Sequence, residues 1–430
     1  MSKGSVDIES DTLSIAAVKG MNDILPGEVE TWQFLEATAH EVFGAYGFSE
    51  IRTPAVEKTE LFSRSIGETT DIVEKEMYTF DDKGGTSLTL RPEGTAPVMR
   101  SFIQHRLHNL DPVSKLYYMG PMFRYERPQK GRYRQFHQIG AEVLGVEDAK
   151  IDAQVLAMLY QYFCRIDIEA VSLQVNSLGC PVCRPNYRKS LIGYLDARLE
   201  KLCPDCRRRY QNNPLRVLDC KSAGCKAAIA DAPSVVEHLC ADCDQHFEQV
   251  QRYLRTLDIP FVINARMVRG LDYYVRTTFE LVTDRLGSQN AVAAGGRYDG
   301  LVESLGGPPL PGIGFAIGVE RLVLMKGEQR VAPATPQLFI ATLGDEAADR
   351  AFVLMSALQR AGVRAEMDYL GKSLKAQMRR ANKLHAAYTL ILGEEELASG
   401  KAQLKNMSDG SQSQVDLVGL ADILLQRLQG

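Results

Sequence analysis

Apolar positions recur with helical spacing from residue 31 to 46, where Trp32, Leu35, Val42 and Phe43 fall on one side. This predicts an amphipathic helix that Gly47 ends. Short strands and turns are expected as far as residue 90, then a second helix over 96–107. Residues 115–126 and 132–145 read as two strands joined by Arg127-Pro128-Gln129-Lys130-Gly131, a loop whose Pro and Gly suit a hairpin. A helix is expected over 151–166, and strands over 259–265 and 277–283. The glycine-rich run 312–321 reads as a strand entering a helix. Two prolines in 331–336 mark a linker. Beyond it, strands at 337–342, 363–367 and 388–392 alternate with helices at 346–361 and 373–385, which predicts a small α/β domain. The chain has no internal repeat and no low-complexity tract.

Composition narrows the picture. A chain of 430 residues exceeds one core and implies two or three domains. With 45% hydrophobic and 24% charged residues it resembles an ordinary globular protein. A net charge of −4 excludes holding nucleic acid by bulk positive charge, so any such contact must use a local patch. One candidate lies in 371–385. Lys372, Lys375, Arg379 and Lys383 fall within ~80° of a helical wheel, opposite Leu374, Met378, Ala381 and Leu384. The first ~20 residues are polar, are expected to be loose, and carry no secretory signal pattern. No apolar run reaches membrane-spanning length. A cytoplasmic, membrane-free protein is expected, with cysteines free or metal-bound.

Four segments concentrate chemistry. Residues 269–274 read Arg-Gly-Leu-Asp-Tyr-Tyr. Arg269 offers a planar cationic fork for phosphate or carboxylate, and Tyr273 and Tyr274 offer apolar faces with hydroxyls. The same residues also fit a buried salt bridge with two core tyrosines. The stretch 124–134 carries five cations and one acid. If the second strand begins at 132, then Arg132, Arg134, Phe136, Gln138, Gly140 and Glu142 share one face. Such a face suits a nucleotide beside a zwitterion, with cations on phosphate and Glu142 on an ammonium. Leu90-Arg91-Pro92-Glu93-Gly94-Thr95 reads as a strand end running into a helix, with Thr95 as N-cap. Taken alone, a capping loop is the better reading there. In 312–321, Arg321 at a helix start suits a phosphate beside free N–H groups, with a salt bridge from Glu320 as the plain alternative.

Eight of the nine cysteines fall between positions 180 and 243 as Cys180/Cys183, Cys203/Cys206, Cys220/Cys225 and Cys240/Cys243. These spacings suit zinc. They allow two four-cysteine sites, or one site with four spare thiols, and His238 or His246 as substitutes. The sequence leaves the pairing open. Zinc there is expected to be structural, remote from the chemistry, and to hold together a basic segment with little core of its own.

Taken together, the segments resemble the class II aminoacyl-tRNA synthetases, and within them the histidyl-tRNA synthetase family. Residues 57–67, with Pro54, resemble the dimer-interface motif. Residues 123–138 resemble the second class motif and 312–322 the third. Residues 91–95, 269–274 and 295–300 resemble the histidine-specific segments. The resemblance runs from about Lys19 to the C-terminus and implies an α+β fold. Residues 1–179 and 259–330 would form a catalytic domain with a mainly antiparallel sheet flanked by helices. Residues 180–258 would be a Cys-rich insertion, which departs from the family by its cysteines, and 336–430 an α/β anticodon-binding domain. The implied reaction forms histidyl-adenylate from histidine and ATP with Mg²⁺, then transfers histidine to its tRNA, in a homodimer. Arg124 would hold the ATP α-phosphate, Arg321 the γ-phosphate end, and Arg269 the α-phosphate during attack. Glu93, Thr95, Gln138, Glu142, Tyr273 and Tyr274 would enclose histidine, and Arg127 and Gln129 would meet the tRNA acceptor end. The alternative is a non-catalytic paralogue that regulates ATP phosphoribosyltransferase. Such paralogues typically lack the C-terminal domain.

Overall fold

The computed structural model describes residues 15–429 apart from positions 68, 69, 71, 169, 221, 269–272, 287–289, 328 and 330. Most of the stretch expected to be loose at the start therefore lies outside the described residues. The chain divides into two compact units, Met1–Val331 and Ala332–Gly430.

An eight-stranded sheet forms the centre of the first unit. Its spatial order is Ser49–Glu50, Ser114–Phe123, Gln135–Leu144, Gly312–Gly318, Ala291–Arg297, Val275–Val282, Ser172–Ser177, Val262–Ile263. The two outermost pairings are parallel and those between them are antiparallel. Period-two alternation sorts the side chains between the faces. From the third and fourth strands in that order, Ile139, Ala141, Val143, Ile313, Phe315 and Ile317 join one apolar cluster. Helices Val29–Ala45, Ala149–Arg165 and Ala241–Thr256 cover that face with Leu35, Phe43, Leu159, Tyr162, Val250 and Leu254. Each such side chain, fully buried, contributes about 1.5–3 kcal/mol. The opposite face carries Phe136, Gln138, Gly140, Glu142 and Leu144, with Tyr118 and Met122 from the neighbouring strand. Helix Thr95–Gln104 packs there through Val98, Met99 and Phe102.

A buried ionic group ties the sheet to its helices. Arg297 and Asp152 are both 0% exposed and meet at 3.4 Å, and the second Asp152 oxygen lies 2.9 Å from His246 Nε2. Arg297 also donates to the Val146 carbonyl. This joins the strand Ala291–Arg297 to two of the three helices.

Several sequence expectations need correction. The hairpin strands are shorter than predicted, Ser114–Phe123 and Gln135–Leu144, so the connection spans 124–134. The backbone there bonds to other segments: Tyr125 N donates to Glu76 O, and Arg134 N donates to Gly20 O. Arg132 and Arg134 therefore leave the strand face that begins at Phe136. Thr95 is the first helical residue and not the cap. The strand expected over 259–265 shrinks to Val262–Ile263, and the strand Ser172–Ser177 was not anticipated.

The second unit has a five-stranded sheet in the order Ala365–Met367, Leu338–Thr342, Tyr388–Leu392, Lys401–Asn406, Gln412–Asp416. The first three strands are parallel and the rest antiparallel. Helices Asp345–Arg360 and Leu420–Gln429 share its main core with Leu338, Ile340, Leu390 and Leu404. Helix Leu374–Lys383 lies on the smaller cluster of Phe339, Ala341, Ala381 and Ala386. It is pinned by Gln377, whose amide exchanges hydrogen bonds with the Thr342 backbone at 2.8 and 2.7 Å. Lys372, Lys375, Arg379 and Lys383 are all exposed, as the periodicity predicts.

Candidate active site

The polar face of the large sheet opens into a cavity of about 300 Å³. Of the residues singled out in the sequence, Glu93, Thr95, Arg124, Gln138, Tyr273, Tyr274 and Arg321 line it. Tyr118, Glu126, Arg132 and Phe136 line it too. Glycines let the layers approach. A Cβ on Gly140 would meet the Tyr118 ring at 2.2 Å, and one on Gly314 would meet a Glu142 oxygen at 1.7 Å. Both positions thus exclude any larger residue.

Two buried carboxylates occupy one end. Both Glu93 oxygens accept backbone N–H bonds, from Thr95 and Ala96, each at 2.8 Å. Glu93, and not Thr95, therefore caps the helix Thr95–Gln104, and its negative charge sits at the helix's positive end. Burial still raises its pKa. Glu142 is not itself a lining residue. It is 1% exposed, accepts from Thr95 Oγ1 at 2.8 Å, and accepts from the Tyr298 hydroxyl. Burial raises its pKa to about 8, against the pull of those two donors, and Glu93 nearby adds to the rise. In this setting a neutral Glu142 is favoured, which a bound cation would ionise. Gln138 keeps its side-chain oxygen buried with no hydrogen-bond partner within the protein. Such an acceptor awaits a donor.

Cations dominate the other end. Arg124 donates through Nε to the Pro92 carbonyl at 2.8 Å and stacks on Phe136 at 5.2 Å. Arg321 sits at the start of helix Val319–Lys326 and donates to the Ala291 carbonyl. Burial lowers its pKa, and Arg132 and Arg124 lower it further. Mutually repelling guanidinium groups in a partly dry cavity make a binding site for an anion. Arg132 is balanced by Glu126. Glu320 also lines the cavity, but its carboxylate is engaged, accepting from His137 N and lying 3.0 Å from His137 Nδ1.

Arg269, Gly270, Leu271 and Asp272 lie outside the described residues, whereas the Tyr273 and Tyr274 rings are in tilted contact with centroids 4.6 Å apart. Arg127 and Gln129 are exposed on the hairpin connection, away from the cavity lining. The sequence reading missed Tyr118. Its only signal was a tyrosine opposite a glycine across the strands, Tyr118 against Gly140, and that register is not legible before folding.

The cysteines form two clusters, Cys180/Cys183/Cys240/Cys243 and Cys203/Cys206/Cys220/Cys225, with each cluster's sulfurs within 4.8 Å of one another. The first and last sequence pairs combine, as do the two middle ones. Neither histidine substitutes. His238 bonds the Ser234 carbonyl, and His246 is committed to Asp152. Both clusters offer four soft thiols to a metal.

A mainly antiparallel sheet that carries one arginine on the connection after a central strand and another at a strand–helix junction is the fold of a class II aminoacyl-tRNA synthetase. Residues 20–322 match the histidyl-tRNA synthetase family model, and 337–427 match the anticodon binding domain. Over 418 residues, covering 97% of this chain and all of the relative, the sequence is 69% identical to histidine–tRNA ligase of Syntrophotalea carbinolica. It is 65% identical to that of Geobacter metallireducens over 93% of this chain and 97% of the relative. The apo histidyl-tRNA synthetase of S. aureus superposes with a TM-score of 0.80 at 37% identity, covering 95% of this chain and 99% of that one. The chain belongs to the histidyl-tRNA synthetase family and is an aminoacyl-tRNA ligase. The C-terminal match and the full-length identity favour the catalytic reading over the regulatory paralogue. Among the described residues no helix is long and apolar enough to cross a membrane.

Proposed function

We propose that the cavity joins histidine to ATP in two halves, cations for the nucleotide and carboxylates for the amino acid. Arg124 binds the α-phosphate, and Arg321 binds the γ-phosphate end. A histidine carboxylate oxygen attacks the α-phosphorus, pyrophosphate leaves, and histidyl-adenylate remains. A hydroxyl of the terminal tRNA ribose then attacks the acyl carbon and releases AMP. A carboxylate is already a nucleophile, so the protein supplies positioning and charge. Arg269 stabilises the α-phosphate during the first attack. Mg²⁺ arrives with ATP and offsets the charge of its phosphates.

Glu93, Thr95, Gln138, Glu142, Tyr273 and Tyr274 enclose histidine. Glu142 ionises against the ammonium through its link with Thr95. Glu93 has acceptor sites left after capping, because a carboxylate carries about four. Imidazole is recognised by groups that an apolar side chain would leave unpaired, which favours histidine by roughly 10⁴. Arg127 and Gln129 meet the acceptor end, and the exposed basic face of helix Leu374–Lys383 meets the anticodon arm. Residues 180–258 form an insertion held by zinc.

The protein acts as a cytoplasmic homodimer. Val56 is 37% exposed on Val56–Lys58, an edge strand of a small sheet within the dimer-like motif region, which supports a partner there. The observation that carries the reading is the pairing of Arg124 and Arg321 with an unpartnered Gln138 acceptor and two buried carboxylates in one cavity. Histidine-dependent ATP–pyrophosphate exchange tests it, with other amino acids as controls. Exchange is expected with histidine alone. Arg124→Ala and Arg269→Ala are each expected to lower it by about 10²–10³. Absence of exchange from folded, zinc-supplied protein would overturn the reading.

A further inference from the structure

The cysteine clusters differ in where they sit. Cys203, Cys206, Cys220 and Cys225 all lie among the short helices Pro204–Arg209, Leu215–Leu218 and Ala223–Ala228. The other cluster closes the neck. Cys180 and Cys183 follow the sheet strand Ser172–Ser177, and Cys240 and Cys243 open the helix Ala241–Thr256 that returns to the sheet.

Their geometry is that of metal ligands. Zinc–sulfur bonds of about 2.3 Å in a tetrahedron set sulfurs about 3.8 Å apart. Cys180 and Cys183 are 3.6 Å apart, Cys180 and Cys240 3.8 Å, and Cys203 and Cys220 3.8 Å. Backbone amides also point at thiols, Cys240 N at Cys183 Sγ (3.2 Å) and Cys203 N at Cys225 Sγ (3.1 Å). An N–H group stabilises a thiolate there, as a metal ligand requires.

The neck touches the histidine pocket. Leu178 N donates to Arg276 O at 2.7 Å, and Arg276 N donates to Gly179 O at 2.9 Å. Arg184, the residue after Cys183, donates to the Tyr274 carbonyl and, at 3.4 Å, to Leu178 O. The backbone that carries Tyr274 is thus held from both sides by residues adjoining Cys180 and Cys183.

We propose that each cluster binds one zinc ion, and that the neck ion, acting through Arg184 and residues 178–179, positions Tyr273 and Tyr274 for histidine binding. The distal ion only holds the insertion. This rests on the zinc and histidine-pocket readings above, and it moves one of the two metal sites from remote to adjoining the chemistry. Arg184 is a positioning residue, since it reaches the Tyr274 backbone and not the cavity.

The test uses the full-length protein purified without chelators, with elemental analysis and pyrophosphate exchange on five proteins. The unaltered protein should hold two zinc ions, Cys203→Ser and Cys240→Ser one each, and Arg184→Ala two. Cys240→Ser and Arg184→Ala should raise KM for histidine on the order of tenfold, with KM for ATP and kcat unchanged. Cys203→Ser should leave KM for histidine unchanged, and Arg184→Lys should restore part of the loss. Arg184→Ala keeps every thiol, so it reports on the link even if Cys240→Ser unfolds the neck. Two zinc ions with no KM change in Arg184→Ala would overturn the coupling and leave the zinc reading standing. The same KM rise in Cys203→Ser would also overturn it, as a general loosening. Zinc-free, active protein would overturn the metal reading and the proposal together. Zinc-loaded protein without histidine-dependent exchange would instead sink the ligase reading on which the proposal rests.

Discussion

The polar face of the large sheet and the cysteine-bearing insertion solve opposite problems. The sheet has abundant backbone pairing and apolar cover, with Phe43, Phe279 and Tyr162 all fully buried. It therefore tolerates Glu93, Glu142, Arg297 and Asp152 inside, each met by hydrogen bonds. In the insertion, Leu191 and Leu195 of the 13-residue helix Arg184–Asp196 share a core with Cys206, Cys225 and Val217, and the distal cysteines ride on helices of only 6, 4 and 6 residues. Helices that short do not hold themselves in water. Order in one region comes from extensive pairing and burial, and in the other from a small core to which, on the zinc reading above, metal-bound thiols add. Ionisable chemistry can be stored inside only where the scaffold is already rigid.

Stripping metal should break this contrast most visibly. A chelator is expected to lower hydrogen-exchange protection across 184–229 by a factor of ~10² or more while the sheet strands keep theirs. Uniform loss would show that the regions are not independent. Next in size, Arg297→Met leaves Asp152 buried with only His246, at a cost of about 3–5 kcal/mol in urea unfolding of metal-loaded protein. Gly140→Ala forces the Tyr118 ring aside and should cost about 1–3 kcal/mol, with weaker histidine binding by calorimetry.

A further effect is on pH. Folding raises Glu142 to about 8 from an unfolded value near ~4.3. Between these the folded protein keeps a proton that the unfolded chain has released. Its contribution is complete below about 4 and is lost as pH rises towards 8. Glu142→Gln should flatten that fall in thermal melts, and saturating histidine should flatten it in the unaltered protein.

The sequence carried the fold wherever periodicity was clean. Leu35, Val42 and Phe43 declared their helix, and the alternation from Phe136 to Glu142 declared the cavity face. It failed where distant partners decide. The loop 124–134 is set by bonds from Tyr125 to Glu76 and from Arg134 to Gly20, which no local pattern announces. Glu93 was legible as a residue at a strand–helix junction, but its capping of Thr95 and Ala96 depends on the helix starting one residue earlier than expected. Cysteine spacing gave the ligand pairs but not how the pairs combine, because that depends on the neck closing. Roles for the lining residues came from motif likeness, though several positions were already marked by alternation and residue chemistry, and Tyr118 escaped because a register across two strands leaves no trace in one of them.

The contact between Gly314 and Glu142 sets limits for anyone redesigning this sheet. An added carbon at Gly314 would meet not only the Glu142 carboxylate but also the Ala141 carbonyl at 2.6 Å, and a backbone oxygen in a sheet does not swing away. At Gly140 the obstacle is instead the Tyr118 ring, a side chain that can be pushed aside at a cost. The strand position beside Glu142 therefore admits only glycine as long as that carboxylate keeps its bonds to Thr95 and Tyr298, so the identity of one small residue guards a carboxyl group buried on the next strand.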